Sequence, residues 1–167
     1  MGKKTGKKYR PEKVMKILRE YEASLVNGES ILYDEFTLYD EYGRNNLFAF
    51  DEFEGEITYA GETVKLSTIV GCAQCNKKDS RQIAAMTACI GNDVPVSIIE
   101  RCAYDYSPRI RKAAMMACRG RKDCIYILKK GIKDGYNIVR DMANIEYLNL
   151  KKKNTNPQEP PTTKMET

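Results

Sequence analysis

A stretch of small apolar residues occurs twice in this chain at a fixed spacing. Residues 84–89 (Ala-Ala-Met-Thr-Ala-Cys) return 29 positions later as residues 113–118 (Ala-Ala-Met-Met-Ala-Cys). The matches continue at that offset through Asp105 with Asp134 to Arg111 with Arg140, and residues 66–69 recur 30 positions later as residues 96–99. About two and a half copies of one unit are therefore present. An internal repeat of this length is typical of folds that stack one small unit on the next.

Each unit is predicted to form two helices. The first carries the i, i+3, i+4, i+7, i+8 spacing of a buried helix stripe at Ile110, Ala113, Ala114, Ala117 and Cys118. Ser107-Pro108 suits its start, with Ser at the N-cap and Pro at the first helical position, and Gly120 suits its end. The second helix is predicted to bury Ile98, Ile99, Cys102 and Ala103, or Ile127, Leu128 and Ile132 in the next copy. Neither helix buries its apolar face alone, so the units must stack.

The segment from Asp105 to Ala114, Asp-Tyr-Ser-Pro-Arg-Ile-Arg-Lys-Ala-Ala, resembles HEAT-like repeats of the short, phycobilin-lyase type. The resemblance covers roughly residues 63–148 and implies a short α-α superhelix of helix pairs. It also implies a ladder in which an Asp that ends one unit pairs with an Arg in the next helix. Asp105 with Arg111 and Asp134 with Arg140 have that spacing, and Asn76 with Gln82 is a neutral version. The resemblance says little about function, because this scaffold has many roles.

The predicted fold is mainly α, with four segments. Residues 1–10 are a basic disordered N-terminus, and 11–62 hold a helix at Pro11–Val26 followed by an acidic aromatic stretch. Strand-prone pieces at 31–33, 36–39, 47–50 and 57–59 predict a small antiparallel sheet of two to four strands, although Leu32, Phe36 and Tyr39 also fit a helical period. Residues 63–150 form the repeat domain, and 151–167 are predicted to be disordered.

Composition argues against several classes of function. No apolar run reaches the roughly 20 residues of a membrane span, and the basic N-terminus leads into no apolar signal segment. We therefore expect a cytoplasmic protein with reduced cysteines and no membrane contact. The chain has no histidine and no phosphate-binding loop or nucleophile motif, which favours a non-enzymatic protein without a cofactor.

Cys72-Ala73-Gln74-Cys75 is a CxxC, but Cys72 takes the repeat position of Cys102, so a structural thiol is favoured over a metal or redox site.

Charge is segregated along the chain, with an acidic block between two basic ones. The basic repeat face gives the predicted binding residues, for a protein partner or for phosphates: Arg109, Lys112, Arg119, Arg121, Lys122, Lys129, Lys130 and Lys133. The predicted acidic face comprises Asp34, Glu35, Asp40, Glu41, Asp51, Glu52, Glu54 and Glu56.

Three functions fit this pattern. The first is a protein–protein interaction module, either an adaptor or an inhibitor, that binds another protein. The second is a nucleic-acid-binding helical repeat that uses the basic face. The third is an acidic inhibitor of viral type that mimics nucleic acid through residues 29–62. A homodimer that completes the short stack is also compatible with the sequence.

Overall fold

The chain is mainly helical over the residues that the computed structural model describes, which are 9–27, 53–75 and 79–155. The helices are α1 (Pro11–Val26), α2 (Leu66–Gln74), α3 (Asp79–Ala88), α4 (Val96–Ala103), α5 (Pro108–Ala117), α6 (Ile125–Gly131) and α7 (Asn137–Thr155). A β-hairpin, β1 (Glu56–Tyr59) and β2 (Glu62–Lys65), precedes α2, and one 3-10 turn (Lys122–Cys124) precedes α6. The predicted helix at Pro11–Val26 is confirmed with both ends as expected.

The hairpin confirms one of the four predicted strand segments. β1 pairs antiparallel with β2, with Ile57 opposite Val64, and both of these side chains are buried. Ala60 and Gly61 form the connection with positive φ angles of 52° and 80°, as a tight two-residue hairpin turn requires. The sequence did not predict β2, because Val64 is its only apolar residue. The other three predicted strand segments, 31–33, 36–39 and 47–50, lie outside the described residues.

The helices pack in two rows. α1, α3, α5 and α7 lie side by side in that order, and α2, α4 and α6 pack against them as a second row. Most of the apolar residues matched by the repeat are buried in both copies, as for Ala84 with Ala113 and Cys89 with Cys118. Gly91 and Gly120 both adopt the positive φ that ends a helix, at 75° and 72°. The predicted helices and most of their buried residues are therefore present, whereas Ile132, predicted to be buried on the second helix, follows the end of α6 and is half-buried.

Two helix ends differ from the sequence prediction. Ser107 is the N-cap residue of α5, but its side chain makes no capping hydrogen bond; instead its N–H donates to Asp105 Oδ1 at 2.8 Å. Helix α7 continues through Thr155, beyond the predicted end of the repeat domain at residue 150. Its last turn contains Lys152 and Lys153, and lysine is both a good helix former and a favoured charge at a helix C-terminus. The remaining predicted tail, from residue 156 onward, lies outside the described residues.

Gly131 is a point of close approach between α6 and its neighbours. A Cβ atom there would overlap Met115 Sδ on α5 and would lie 2.9 Å from Ala143 Cβ on α7. We predict that Gly131→Ala lowers the free energy of unfolding by about 1.5 kcal/mol, because overpacking outweighs the gain in helix propensity. Urea unfolding measures the effect, and Gly135→Ala is the control, since nothing lies within 4 Å of its added Cβ. Equal stabilities of the two variants would contradict the close packing.

Candidate functional site

An arginine ties together the two loops that connect successive units. Arg111 Nε and Nη2 donate to Asp134 Oδ2 and Oδ1 at 2.7 and 3.0 Å, a two-point ion pair between the start of α5 and the loop before α7. Arg111 Nη1 also donates to the carbonyl oxygen of Asp105 at 2.7 Å, and Arg140 Nη1 repeats this contact with the carbonyl of Asp134. The loops at 104–107 and 132–136 are thereby held at one edge of the stack.

This ladder is shifted by one unit from the pairing that the family resemblance implies. The side chain of Arg111 pairs with the carboxylate of the following unit, Asp134, and reaches only the backbone of Asp105. The Asp105 carboxylate instead receives Gln82 Nε2 at 3.4 Å and the N–H of Ser107. The hydrogen bonds from Arg111 lower the pKa of Asp134, whereas burial raises the pKa of Asp105. Asn76, the predicted neutral member, lies outside the described residues.

Exposed tyrosines and basic residues line these two loops. Tyr106 is 98 % exposed, and Tyr104 and Tyr136 are each about half exposed. Lys130, near the end of α6, lies over the ring of Tyr104 with Nζ 2.9 Å from the centroid. Lys133 is exposed in the loop after α6, and Arg109 is exposed in the first turn of α5. We name this surface the tyrosine edge; it comprises Tyr104, Tyr106, Arg109, Lys130, Lys133 and Tyr136.

Carboxylates are interspersed with the cations around the tyrosine edge. Asp105 and Asp134 lie within its loops, and Glu100 on α4 hydrogen-bonds the phenol of Tyr126 on α6. Partial burial and this carboxylate raise the pKa of Tyr126 to about 12, so the phenol stays protonated and acts as the donor. The surface is therefore mixed in charge and rich in hydrogen-bonding groups.

The structure divides the predicted basic residues between the two ends of α5. Arg109, Lys130 and Lys133 belong to the tyrosine edge, whereas Lys112 is half-buried on α5 and Lys129 is exposed on α6. Lys122 is exposed at the opposite end, beyond the C-terminus of α5, in the connection to α6. A helix of ten residues is about 15 Å long, so one small ligand cannot contact both groups.

Two predicted binding residues at the far end of α5 are held within the fold. Arg119 donates to Glu146 Oε1 from Nε at 3.0 Å and from Nη2 at 2.8 Å. The Arg121 side chain is mostly buried; it pairs with Asp123 and donates from Nη1 to the carbonyl oxygen of Val94. Each arginine thus contributes to packing between units, whether or not it also contacts a partner.

The predicted acidic face lies largely outside the described residues. Asp34, Glu35, Asp40, Glu41, Asp51 and Glu52 are in the stretch 28–52, which the structure does not describe. Glu54 and Glu56 are exposed at the start of the β-hairpin. Close to them on the hairpin, Glu62 on β2 forms an ion pair with Arg19 on α1.

All six cysteines are free thiols in the core. Burial raises the pKa of Cys89 to about 12, and it also raises the pKa values of Cys72 and Cys102 above the ordinary thiol value. Such thiols stay protonated and react slowly, which suits packing. Over the residues 9–27, 53–75 and 79–155, no group of three or more metal-binding side chains comes together. No helix in that part of the chain has the length and apolarity to cross a bilayer.

Sequence reasoning missed the exposed Tyr104 and Tyr106 and the buried Gln74. Gln74 lies at a shallow surface depression with Val70, Ala73, Ile98 and Arg101, and within the described structure its buried amide has no hydrogen-bond partner. Gln74 and Tyr104 occupy the same position in successive units at the 30-residue offset, which is the sequence signal that could have drawn attention to this position.

Comparisons with known proteins return no relationship: no protein-family model, curated protein or solved structure matches this chain. The tyrosine edge and the charged residues around it are therefore the basis for assigning a function.

Proposed function

We propose that this chain is a non-enzymatic protein–protein interaction module, an adaptor or inhibitor, that binds its partner through the tyrosine edge. The observation that carries the proposal is Tyr106, an aromatic side chain that is 98 % exposed on a loop fixed by Arg111. The side-by-side order of α1, α3, α5 and α7 supports a short HEAT-like superhelix as the scaffold.

The chemistry of the edge favours a protein partner. Tyrosine buries a large apolar ring while its hydroxyl hydrogen-bonds, and it is enriched at the centres of protein interfaces. The loops that carry Tyr106 and Tyr136 are already ordered by Arg111, so binding loses little loop entropy. A few such anchors surrounded by lysines match the usual pattern of a small interface core with a polar rim.

A nucleic-acid partner is the second candidate, and Arg109, Lys130 and Lys133 on one edge are the observation that favours it. Two features make it the weaker proposal. Lys130 covers the face of Tyr104 that a base would stack on, and Asp105 and Asp134 place negative charge beside the cations. Inhibition by nucleic-acid mimicry through residues 29–62 stays a prediction from the sequence.

The test is a capture experiment with the full chain, with and without nuclease, at low and high salt. We expect a protein partner that survives nuclease and high salt, because an aromatic interface depends little on ionic strength. The variant Tyr106→Ser with Lys133→Ser, both at exposed sites, should lose that partner by at least tenfold. Lys122→Ser is the matched control at the opposite end of α5 and should retain it.

A photo-crosslinking amino acid in place of Tyr106 identifies whichever protein contacts the edge. Equal capture by the Tyr106/Lys133 variant and by wild type would place the interface elsewhere. Loss of all captured material on nuclease treatment, or on raising the salt, would instead favour the nucleic-acid candidate.

A further inference from the structure

Two buried thiols at the C-terminal end of α5 are in hydrogen-bond contact. Cys118 is the C-cap residue of α5, and Cys124 is the last residue of the 3-10 turn that leads into α6. Both residues are 0 % exposed, and the thiol of Cys118 donates to the sulfur of Cys124. The N–H of Arg121 donates to the carbonyl of Cys118 at 3.1 Å, and the N–H of Cys124 donates to the carbonyl of Arg121 at 3.4 Å. Two tight turns therefore bring the thiols together.

The repeat accounts for only one of these two cysteines. Cys118 occupies the position of Cys89 in the preceding unit, where a small apolar side chain suits close helix packing. At the same 29-residue offset Cys124 aligns with Pro95, so the stacking of units does not require a thiol at that position. The thiol pair, which we define as Cys118 and Cys124, is therefore a feature of this unit and not of the repeat.

The surroundings of the thiol pair favour a thiolate on Cys124. The hydrogen bond from Cys118 and the positive charge of Arg121 lower the pKa of Cys124 below the ordinary thiol value. The same hydrogen bond, together with burial, raises the pKa of Cys118. Burial raises the pKa of Cys102, whose thiol donates to a backbone carbonyl at 3.7 Å. Because the thiolate is the nucleophilic form of cysteine, Cys124 is the more reactive member of the pair and Cys118 is positioned to attack it next.

The chain segment next to the thiol pair is at the surface. Arg119, Gly120, Lys122 and Asp123, which connect the two cysteines, are all exposed. A short exposed connection opens locally at a lower free energy than the centre of a helical core does. A molecule little larger than water, such as hydrogen peroxide, therefore reaches this pair before it reaches thiols within the helices.

We propose that the thiol pair is an oxidative modification site, at which hydrogen peroxide joins Cys118 and Cys124 in a disulfide within the folded chain. The Cys124 thiolate attacks one peroxide oxygen, the O–O bond breaks, and hydroxide leaves as Cys124 becomes a sulfenic acid. The Cys118 sulfur then attacks the Cys124 sulfur, the S–S bond forms and the S–O bond breaks. The hydroxide that leaves takes up the Cys118 proton. Two thiols are thereby oxidised, and one peroxide is reduced to two water molecules.

The disulfide would close a ring at the end of α5 that lies opposite the tyrosine edge. The two sulfur atoms must approach from hydrogen-bond contact to about 2.05 Å, and the exposed connection between them can adjust to this change. The modification does not depend on the proposed partner-binding function, because no residue of the tyrosine edge takes part in it.

Peptide mapping of the full chain after peroxide treatment tests the proposal. The reduced protein is treated with hydrogen peroxide at pH 7, alkylated, and digested with trypsin without a reducing agent. Trypsin cleaves after Lys112, Arg119, Lys122 and Lys129, so the disulfide appears as peptides 113–119 and 123–129 joined together. We expect the joined peptides to form at least about tenfold faster than any oxidised product of the other four cysteines. Oxidation spread evenly over the six cysteines, or no joined peptides, overturns the proposal.

Single substitutions separate the roles of the two thiols. In Cys118→Ala, Cys124 should react more slowly and stop at the sulfenic acid, which dimedone traps, whereas Cys124→Ala should leave Cys118 unmodified over the same time. Cys89→Ala is the matched control and should still give the joined peptides, because burial raises the pKa of Cys89 to about 12. Circular dichroism checks that each variant is folded. Formation of the same disulfide at an equal rate in the urea-unfolded chain overturns the proposal, because the fold would then contribute nothing.

Discussion

Asp134→Asn is expected to lower the free energy of unfolding by about 3 kcal/mol at neutral pH, whereas Asp105→Asn should change it by less than about 1 kcal/mol. The two aspartates hold the same position in successive units, and each accepts the backbone N–H two residues later. They differ in the side chain that donates hydrogen bonds to the carboxylate. Asp134 forms a two-point ion pair with Arg111, whose side chain is only 14 % exposed, and Asp105 meets the neutral Gln82.

The two expected losses of stability differ because only Asp134→Asn leaves a buried charge without a partner. Removing the charge of Asp134 leaves a largely buried guanidinium without its counter-ion. Removing one partner of a buried ion pair is strongly destabilising. Removing the charge of Asp105 leaves no buried ion, and the asparagine Oδ1 still accepts from Ser107. Urea unfolding of both variants at pH 7 gives the comparison. Equal losses would mean that the Arg111 pair adds nothing beyond the turn that both aspartates form.

The pH dependence of the two variants should have opposite signs. The pKa of Asp134 is lowered in the fold, so its contribution is present above the ordinary value of 3.8 and is lost as the pH falls through the folded pKa. The pKa of Asp105 is raised, so wild type loses stability as the pH rises from 3.8 through the folded pKa. On acidification to pH 3, the stability of Asp134→Asn relative to wild type should therefore increase. The stability of Asp105→Asn relative to wild type should decrease.

The repeat made most of the helical architecture predictable. A 29-residue offset predicted the two-helix units, the buried Ala and Cys positions and the helix-ending glycines, because these depend on spacing and on local backbone preferences. β2 was not predictable in this way, since a strand with one apolar residue depends on pairing with its neighbour. The extension of α7 through Thr155 was not predictable, because the three lysines at 151–153 are as compatible with a solvated tail as with a helix end.

The candidate site was less predictable, because charge along the chain does not show which side chains meet. The sequence grouped Arg109 with Arg119 and Arg121 as one face, and the structure places them at opposite ends of α5. Nothing local to Arg111 distinguishes Asp105 from Asp134 as its partner, since the choice depends on how one unit packs on the next. Tyr104 and Tyr106 became candidates only once the loops that carry them were seen side by side.

Arg119→Met is the second substitution with a large expected effect, a loss of about 3 kcal/mol in the free energy of unfolding. Arg119 donates twice to Glu146 Oε1, and the Glu146 side chain is 0 % exposed. Its other oxygen, Oε2, has no hydrogen-bond partner in the described part of the chain. Without Arg119, a buried carboxylate on α7 therefore loses the counter-ion that the fold gives it.

Glu146→Leu, which removes the other partner of this ion pair, should lower the free energy of unfolding far less than Arg119→Met does. Arg119 is 52 % exposed, so in Glu146→Leu the remaining guanidinium is solvated by water, and leucine replaces a half-satisfied carboxylate in the core. We expect Glu146→Leu, and also the double variant with Arg119→Met, to lie within about 1 kcal/mol of wild type. The double-mutant cycle measured by urea unfolding at pH 7 then gives a large coupling, because the second substitution removes the buried charge that made the first one costly. Equal losses for the two single variants would show that Glu146 is not held as a buried ion. In that case Arg119 would be available to a partner, as the sequence suggested.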